Sequence, residues 1–459
     1  MLSIRSSLSR REVLRVGGLA LGGLTLPQWL AAKAWGAPTS AVKDKSVIFL
    51  FLHGGPSQIE TFDPKMTAPA GIRSVTGEVD TALPGITFGR SFPQLARLAK
   101  EMTIVRSYAS GDGNHDIKPV VCKDTAGANL GSLYARVAGT NHPVSGMPRN
   151  CALFPRAVDP ERGPAQEAFG KFWSTGMLGN AYAPFMPGSG GAAQQAMELT
   201  LPRGRFDDRR NLLASLDGLK RELDSSGALA GLDKFQHQAF ETIVAGVADA
   251  FDLKREDAKT LARYDTAPLV TPEQISRRWN NYNHYVDNAK TLGKLLLMAR
   301  RLCERGCGFV TVSTNFVWDM HADVNNATIS EGMEYLAPPL DHAVSAFLED
   351  VKERGLSDKI LLVVTGEMGR TPKVNGKGGR DHWGNSTPLM LAGGGLPMGQ
   401  VIGQTTKDAG EPATEPFGIS HLVSTIMDTL FDTSQTRLMT GLPMELQRIL
   451  SAPAITGLV

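Results

Sequence analysis

Six short runs rich in Val, Ile and Leu punctuate the chain without polar alternation: residues 46–52, 103–106, 151–154, 308–312, 359–364 and 389–392. Runs of that length and composition read as strands buried on both faces, the kind found in parallel sheets. Amphipathic stretches with helical spacing lie between them, at residues 92–100, 130–137, 291–303, 337–354 and 419–430. The alternation predicts an α/β fold, a doubly wound, mostly parallel sheet with helices on both faces. Residues 205–300 interrupt it, because 209–223, 232–251 and 255–264 read as helices with no strand between them. They are expected to form a helical insertion on one sheet domain covering residues 38–459. The Gly- and Pro-rich stretch at 140–204 reads as long surface loops, which in compact domains are often functional.

The first 37 residues stand apart from this pattern. Ser9-Arg10-Arg11-Glu12-Val13-Leu14 precedes an apolar run, and Ala34, Gly36 and Ala37 follow it with small side chains. That arrangement predicts a twin-arginine signal peptide and a product exported folded to the periplasm or beyond, touching the membrane only for export. These residues hold five of the 48 basic and one of the 46 acidic side chains, so the remainder carries a net charge of −2. A nearly neutral chain has no general electrostatic reason to bind nucleic acid. Cys122, Cys151, Cys303 and Cys307 lack zinc-ribbon spacing and read as small core residues, with their pairing left open.

The apolar runs matter for function because several end at metal-capable side chains. In an open α/β sheet, ligands bind beyond the carboxyl ends of the strands, where residues distant in sequence converge. His53 follows the first run, in His53-Gly54-Gly55-Pro56-Ser57. Asp319 and His321 follow the run at 308–312, two residues apart, and in an extended segment they would point the same way. Glu367 and Arg370 follow the run at 359–364. Arg370 offers a planar donor fork matched to sulfate, phosphate or carboxylate, or a simple ion pair with Glu367. Asp381-His382 sits in a glycine-flanked loop, and Ser110 and His115 follow the run at 103–106, where they could supply a nucleophile or a further ligand.

At these motifs the chain resembles the exported family catalogued as domain of unknown function 1501, itself similar to the alkaline phosphatase and sulfatase superfamily. The resemblance runs through His53-Gly54-Gly55-Pro56-Ser57, Phe62-Asp63-Pro64-Lys65, Trp318-Asp319-Met320-His321, Thr365-Gly366-Glu367-Met368-Gly369-Arg370 and Asp381-His382-Trp383. It implies an alkaline phosphatase-like fold and a metal-dependent hydrolase acting on phosphate or sulfate esters, of small molecules or of polysaccharides. It also implies His53, Asp319, His321, Glu367 and His382 as metal ligands, with the nucleophile near Ser110 and His115. The divalent metal would be zinc in the first instance, with manganese and calcium as alternatives. Histidine stands where the superfamily has its first aspartate, Glu367 lacks a neighbouring histidine, and no Cys-x-Pro-x-Arg motif provides a formylglycine. The alternative from another class is a periplasmic binding or scaffold protein that keeps the fold without catalysis.

Overall fold

The structure is a computed structural model that describes residues 41–187, 247–437, 439 and 441–459. The expected signal segment and the helices expected at 209–223 and over most of 232–251 lie outside the described residues. The central strands are β1 (Ser46–Phe51), β4 (Thr103–Val105), β5 (Asn150–Leu153), β6 (Phe309–Val312), β7 (Ile360–Thr365), β10 (Leu389–Gly393) and β11 (Gln400–Ile402). Two small pairs complete the set, β2 (Glu78–Asp80) with β3 (Thr87–Gly89), and β8 (Gly369–Arg370) with β9 (His382–Trp383).

The seven central strands lie in the order β11-β4-β10-β7-β1-β6-β5. β1 pairs in parallel with both β6 and β7, and β5 in parallel with β6. β10 alone runs against the rest, antiparallel to β7 and to β4. The sheet is therefore mostly parallel. All six expected strands form within one or two residues of their expected bounds, since a buried apolar run bounded by turn residues has few other ways to satisfy its backbone.

The principal helices are α1 (Pro93–Arg97), α2 (Leu130–Ala138), α3 (Tyr282–Glu304), α4 (Ile329–Glu353) and α5 (Ile419–Leu430). Alternation along the strands divides the core in two. Ile48, Leu50, Val310, Val312, Leu362 and Val364 face one side, with the buried faces of α1, α3 and α4. Val47, Phe49, Phe51, Phe309, Leu361 and Val363 face the other, with α2 and α5. Side chains of successive strand residues point to opposite faces, so one sheet needs two apolar layers, and both are covered. Both long helices exceed their expected lengths. α3 begins in a polar Asn- and His-containing turn, and α4 continues through Pro338 and Pro339. Proline costs a helix interior about 3 kcal/mol, and the buried face of α4, from Ile329 to Val351, outweighs it. No helix among the described residues is long and apolar enough to cross a membrane.

Candidate metal centre

β1, β4, β6 and β7 end along one edge of the sheet, and β10, running the opposite way, begins there. The polar clusters hang from this edge. The His53 carbonyl accepts from the amides of Val317 and Trp318 at 3.1 and 3.0 Å, joining the turn after β1 to the segment after β6. Gly54, at φ +114°, makes that approach possible, since a Cβ there would lie 2.5 Å from the Asp319 amide nitrogen. Gly379 does the same for the loop before β9, where a Cβ would stand 2.3 Å from the carbonyl carbon of His321. Glycines thus let three loops crowd together.

Glu367, fully buried beyond β7, accepts from the Gly54 amide with both oxygens, at 2.8 and 3.1 Å. The same Oε1 lies 2.8 Å from His115 Nδ1. A carboxylate accepts only, so His115 carries a proton on Nδ1 towards Glu367, which leaves Nε2 as the nitrogen it turns towards the centre. That nitrogen faces His382 Nε2 at 3.1 Å and Asp319 Oδ1 at 3.5 Å, while His382 Nε2 and Asp319 Oδ1 are 3.1 Å apart. Among the described residues, His115, Asp319 and His382 form the group of three whose ligand atoms all lie within 4.8 Å of one another. A tetrahedral zinc site with ligand distances of about 2.0–2.1 Å has ligand-to-ligand edges of roughly 3.3 Å. The triangle has that size.

His321 Nε2 lies 3.0 Å from the other oxygen of Asp319, Oδ2, which also accepts from Asn326 Nδ2 at 3.0 Å. Burial pushes the Asp319 carboxyl up, but the Arg370 guanidinium and hydrogen bonds with His115, His321 and His382 hold it well below the usual carboxylate range. Burial lowers the His115 pKa, and its bonds to Asp319 and Glu367 outweigh this and raise it. His321 is raised chiefly by its bond to Asp319. The centre opens to solvent along the half-buried rings of His382 and His321.

Sequence reasoning makes Arg370 a free donor for an oxyanion, and the fold commits it elsewhere. Its side chain is fully buried. Nε donates to the Gly55 carbonyl at 2.7 Å, Nη1 to that of Arg380 at 3.3 Å, and Nη2 to the Gly54 carbonyl and to Asp319 Oδ1, the latter at 2.7 Å. The glycine turn leaves carbonyls facing inward, and Arg370 satisfies them. It pairs with Asp319 rather than Glu367. Ser110 is also buried, with its Oγ accepting from Thr387 at 3.1 Å, and no hydrogen bond among the described residues ties it to the histidines. His53 lies outside the contact network of the other ligands. Its ring is boxed by Phe51, Phe169, Phe172 and Phe316 at centroid distances of 5.0–6.0 Å, and neither ring nitrogen has a hydrogen-bond partner among the described residues. Burial lowers its pKa to about 4.

Of the five ligands expected from sequence, the fold brings Asp319, His321 and His382 into direct contact, sets Glu367 behind His115, and leaves His53 in the aromatic box. His115, expected as a catalytic group or further ligand, joins Asp319 and His382 in the candidate group. Asn326, Phe169 and Phe316 escape sequence reasoning altogether. Asn326 had a faint signal in the polar turn with Asp323, whose carboxylate accepts from its amide at 2.7 Å. The two phenylalanines had none, Phe169 being remote from every motif and Phe316, just before Trp318, reading as an ordinary apolar residue.

The model for the family described as "Protein of unknown function (DUF1501)" matches residues 44–458. The chain belongs to that family. No curated protein matches this family member. Solved structures do. A sulfatase from Pseudoalteromonas sp. is 10% identical, with 92% of this chain and 72% of that one covered and a TM-score of 0.34. The lipoteichoic acid synthase LtaP from Listeria monocytogenes is 11% identical over 91% and 78% of the two chains, at a TM-score of 0.31. A phosphonate monoester hydrolase from Silicibacter pomeroyi is 14% identical over 84% and 73%, at 0.28. With TM-scores this low, the α/β assignment of this family member rests on its own strand order and two-sided core.

Proposed function

We propose that this DUF1501 member is an exported, divalent-metal-dependent hydrolase of phosphate or sulfate esters or related oxyanion substrates, with a centre built on His115, Asp319 and His382. The triangle of 3.1, 3.1 and 3.5 Å between their ligand atoms carries the reading. Two imidazole nitrogens and a carboxylate oxygen aimed at one point, with Glu367 taking the proton on the far nitrogen of His115, are an arrangement that a cation fits in place of the inward protons. Two imidazoles and a carboxylate suit zinc, or manganese, better than calcium, which prefers an all-oxygen shell. A metal ion bound there supplies Lewis-acid polarisation and activation of water.

The protein's own residues do the rest. Glu367 holds the His115 proton and fixes the ring. Arg370 is a positioning residue that anchors Asp319 and the Gly54-Gly55 turn. His321, which shares Asp319 Oδ2 with Asn326, is placed to hold a proton at the solvent-open mouth or to extend the ligand set. This revises the ligand set expected from sequence, with His115 entering, Glu367 moving behind it and His53 leaving. Ser110 is not used, because its hydroxyl is turned to Thr387.

Purified full-length protein should retain zinc or manganese and turn over chromogenic phosphate or sulfate esters with one of zinc, manganese, calcium and magnesium. Metal uptake with silence across the ester panel would favour the non-catalytic binding protein, a reading supported by the committed Arg370 and by Ser110, which no hydrogen bond among the described residues ties to the histidines. Export belongs to the same proposal. Replacing Arg10 and Arg11 by lysine should leave the protein in the cytoplasmic fraction, and unchanged export would remove the twin-arginine assignment.

A further inference from the structure

The metal centre has an apolar wall. Phe169 and Phe316 pack ring to ring at 4.6 Å, and both touch His115, at 5.1 and 4.7 Å. Behind them lies His53, with ring centroids 5.6 and 5.0 Å from the same two residues and two buried nitrogens without partners. Phe316 is buried, whereas Phe169, on a segment without helix or strand, is half-buried, as is His382. The nearest buried cations cannot turn outward. Arg370 is spent on carbonyls and Asp319, Arg380 on Glu60 and four backbone carbonyls, and Lys118 on Asp112 and the Asn114 carbonyl. Exposed Lys373 and Lys377 stand farther out, on the turn whose Asn375 donates to the His321 carbonyl.

The contacts next to the reacting position are therefore aromatic faces rather than fixed positive charge. We propose that Phe169, backed by Phe316, forms a specificity subsite for an apolar aryl or alkyl group, so that the preferred substrate is a monoester of an apolar alcohol rather than a polyanionic chain. The inference rests on the hydrolase reading of the same centre. A phenyl ring gains its preference by leaving water for an aromatic surface, while a methyl group leaves that surface wet.

Binding to the zinc-loaded full-length protein tests this without requiring turnover. Phenylphosphonate and methylphosphonate are titrated by calorimetry as non-hydrolysable probes. The phenyl probe should bind about 10- to 100-fold tighter. Phe169→Ala should shrink that ratio to about threefold or less with methylphosphonate affinity and zinc content unchanged. Phe169→Leu, the conservative variant should the alanine protein not fold, should give an intermediate ratio. Equal affinities in the wild type, or a ratio that survives both substitutions, would overturn the subsite and leave the hydrolase reading standing. Zinc uptake with no binding of either phosphonate would overturn both.

Discussion

Glu60 and Asp319 are two buried carboxylates that each take an arginine from the stretch 370–380, and they differ in what surrounds the pair. Glu60 receives Arg380 at 2.9 Å, and its oxygens also accept from Ser74 Oγ at 2.7 Å and the Val75 amide at 3.1 Å. Arg380 in turn donates to the carbonyls of Ile72 and Arg73. That network is closed, with donors matched to acceptors. Asp319 receives Arg370 at 2.7 Å, yet its Oδ1 also faces His115 and His382 across the nitrogen pair at 3.1 Å. That network is shared, with one carboxylate oxygen meeting two imidazole nitrogens as well as the guanidinium, and in the proposed reading a cation takes the place of the inward imidazole protons. A charged pair alone does not mark function. The inventory of donors and acceptors around it does.

The largest effect expected from this contrast is on stability. Glu60→Gln leaves Arg380 buried and short of its partner, so unfolding free energy should fall by about 3–5 kcal/mol in denaturant titration while zinc affinity in the folded protein is kept. A loss of zinc affinity with little change in stability would reverse the roles given to the two carboxylates.

A third buried carboxylate sharpens the comparison because no arginine is bonded to it. Among the described residues, Asp341 accepts from the amides of Gln94 and Leu95, at 3.0 and 2.8 Å, at the start of α1. Burial raises its pKa from 3.8 to about 6, and those two amides offset only part of the rise. Between those values the folded chain holds a proton that the unfolded chain has released. Its contribution to stability is therefore greatest at the acid end and is lost as pH rises through about 6, by up to roughly 3 kcal/mol. Relative to the wild type, Asp341→Asn should flatten the stability profile between about pH 4 and 6. Identical profiles would show that Asp341 titrates alike in the folded and unfolded chain. Burial acts upward on Asp319 as well, and there the guanidinium reverses the outcome.

A smaller change should follow at Glu367. If it orients His115 rather than binding metal itself, Glu367→Gln keeps the site and weakens zinc by about 10- to 100-fold. Complete loss would return Glu367 to the ligand set.

The layered sheet was readable because each buried run is a local pattern, and the ends of β1, β6 and β7 also pointed to the edge where the candidate site lies. The site was only half readable. Asp319 and His321 lie in the segment after β6, and His382 in the glycine-flanked loop after β7, so their convergence was expected from the strand ends. The roles of His115, Glu367 and Arg370 depend on which partner each one meets across the edge of the sheet. Arg370 looked free because the inward-facing carbonyls of Gly54 and Gly55 exist only in the folded turn. His53 looked like a ligand from its position after β1, and three phenylalanines from other parts of the chain, together with Phe51, enclosed it. Helix ends were misjudged where tertiary packing overrode local signals, as at Pro338 and Pro339.

The most direct measurement is a calorimetric zinc titration of metal-stripped full-length protein and of His115→Ala, His382→Ala and His53→Ala. The wild type should bind tightly, the first two variants should lose more than the about 100-fold that an outer partner costs, and His53→Ala should bind nearly as well as the wild type. Unchanged affinity in His115→Ala and His382→Ala, or a loss confined to His53→Ala, would contradict a metal centre built on His115, Asp319 and His382.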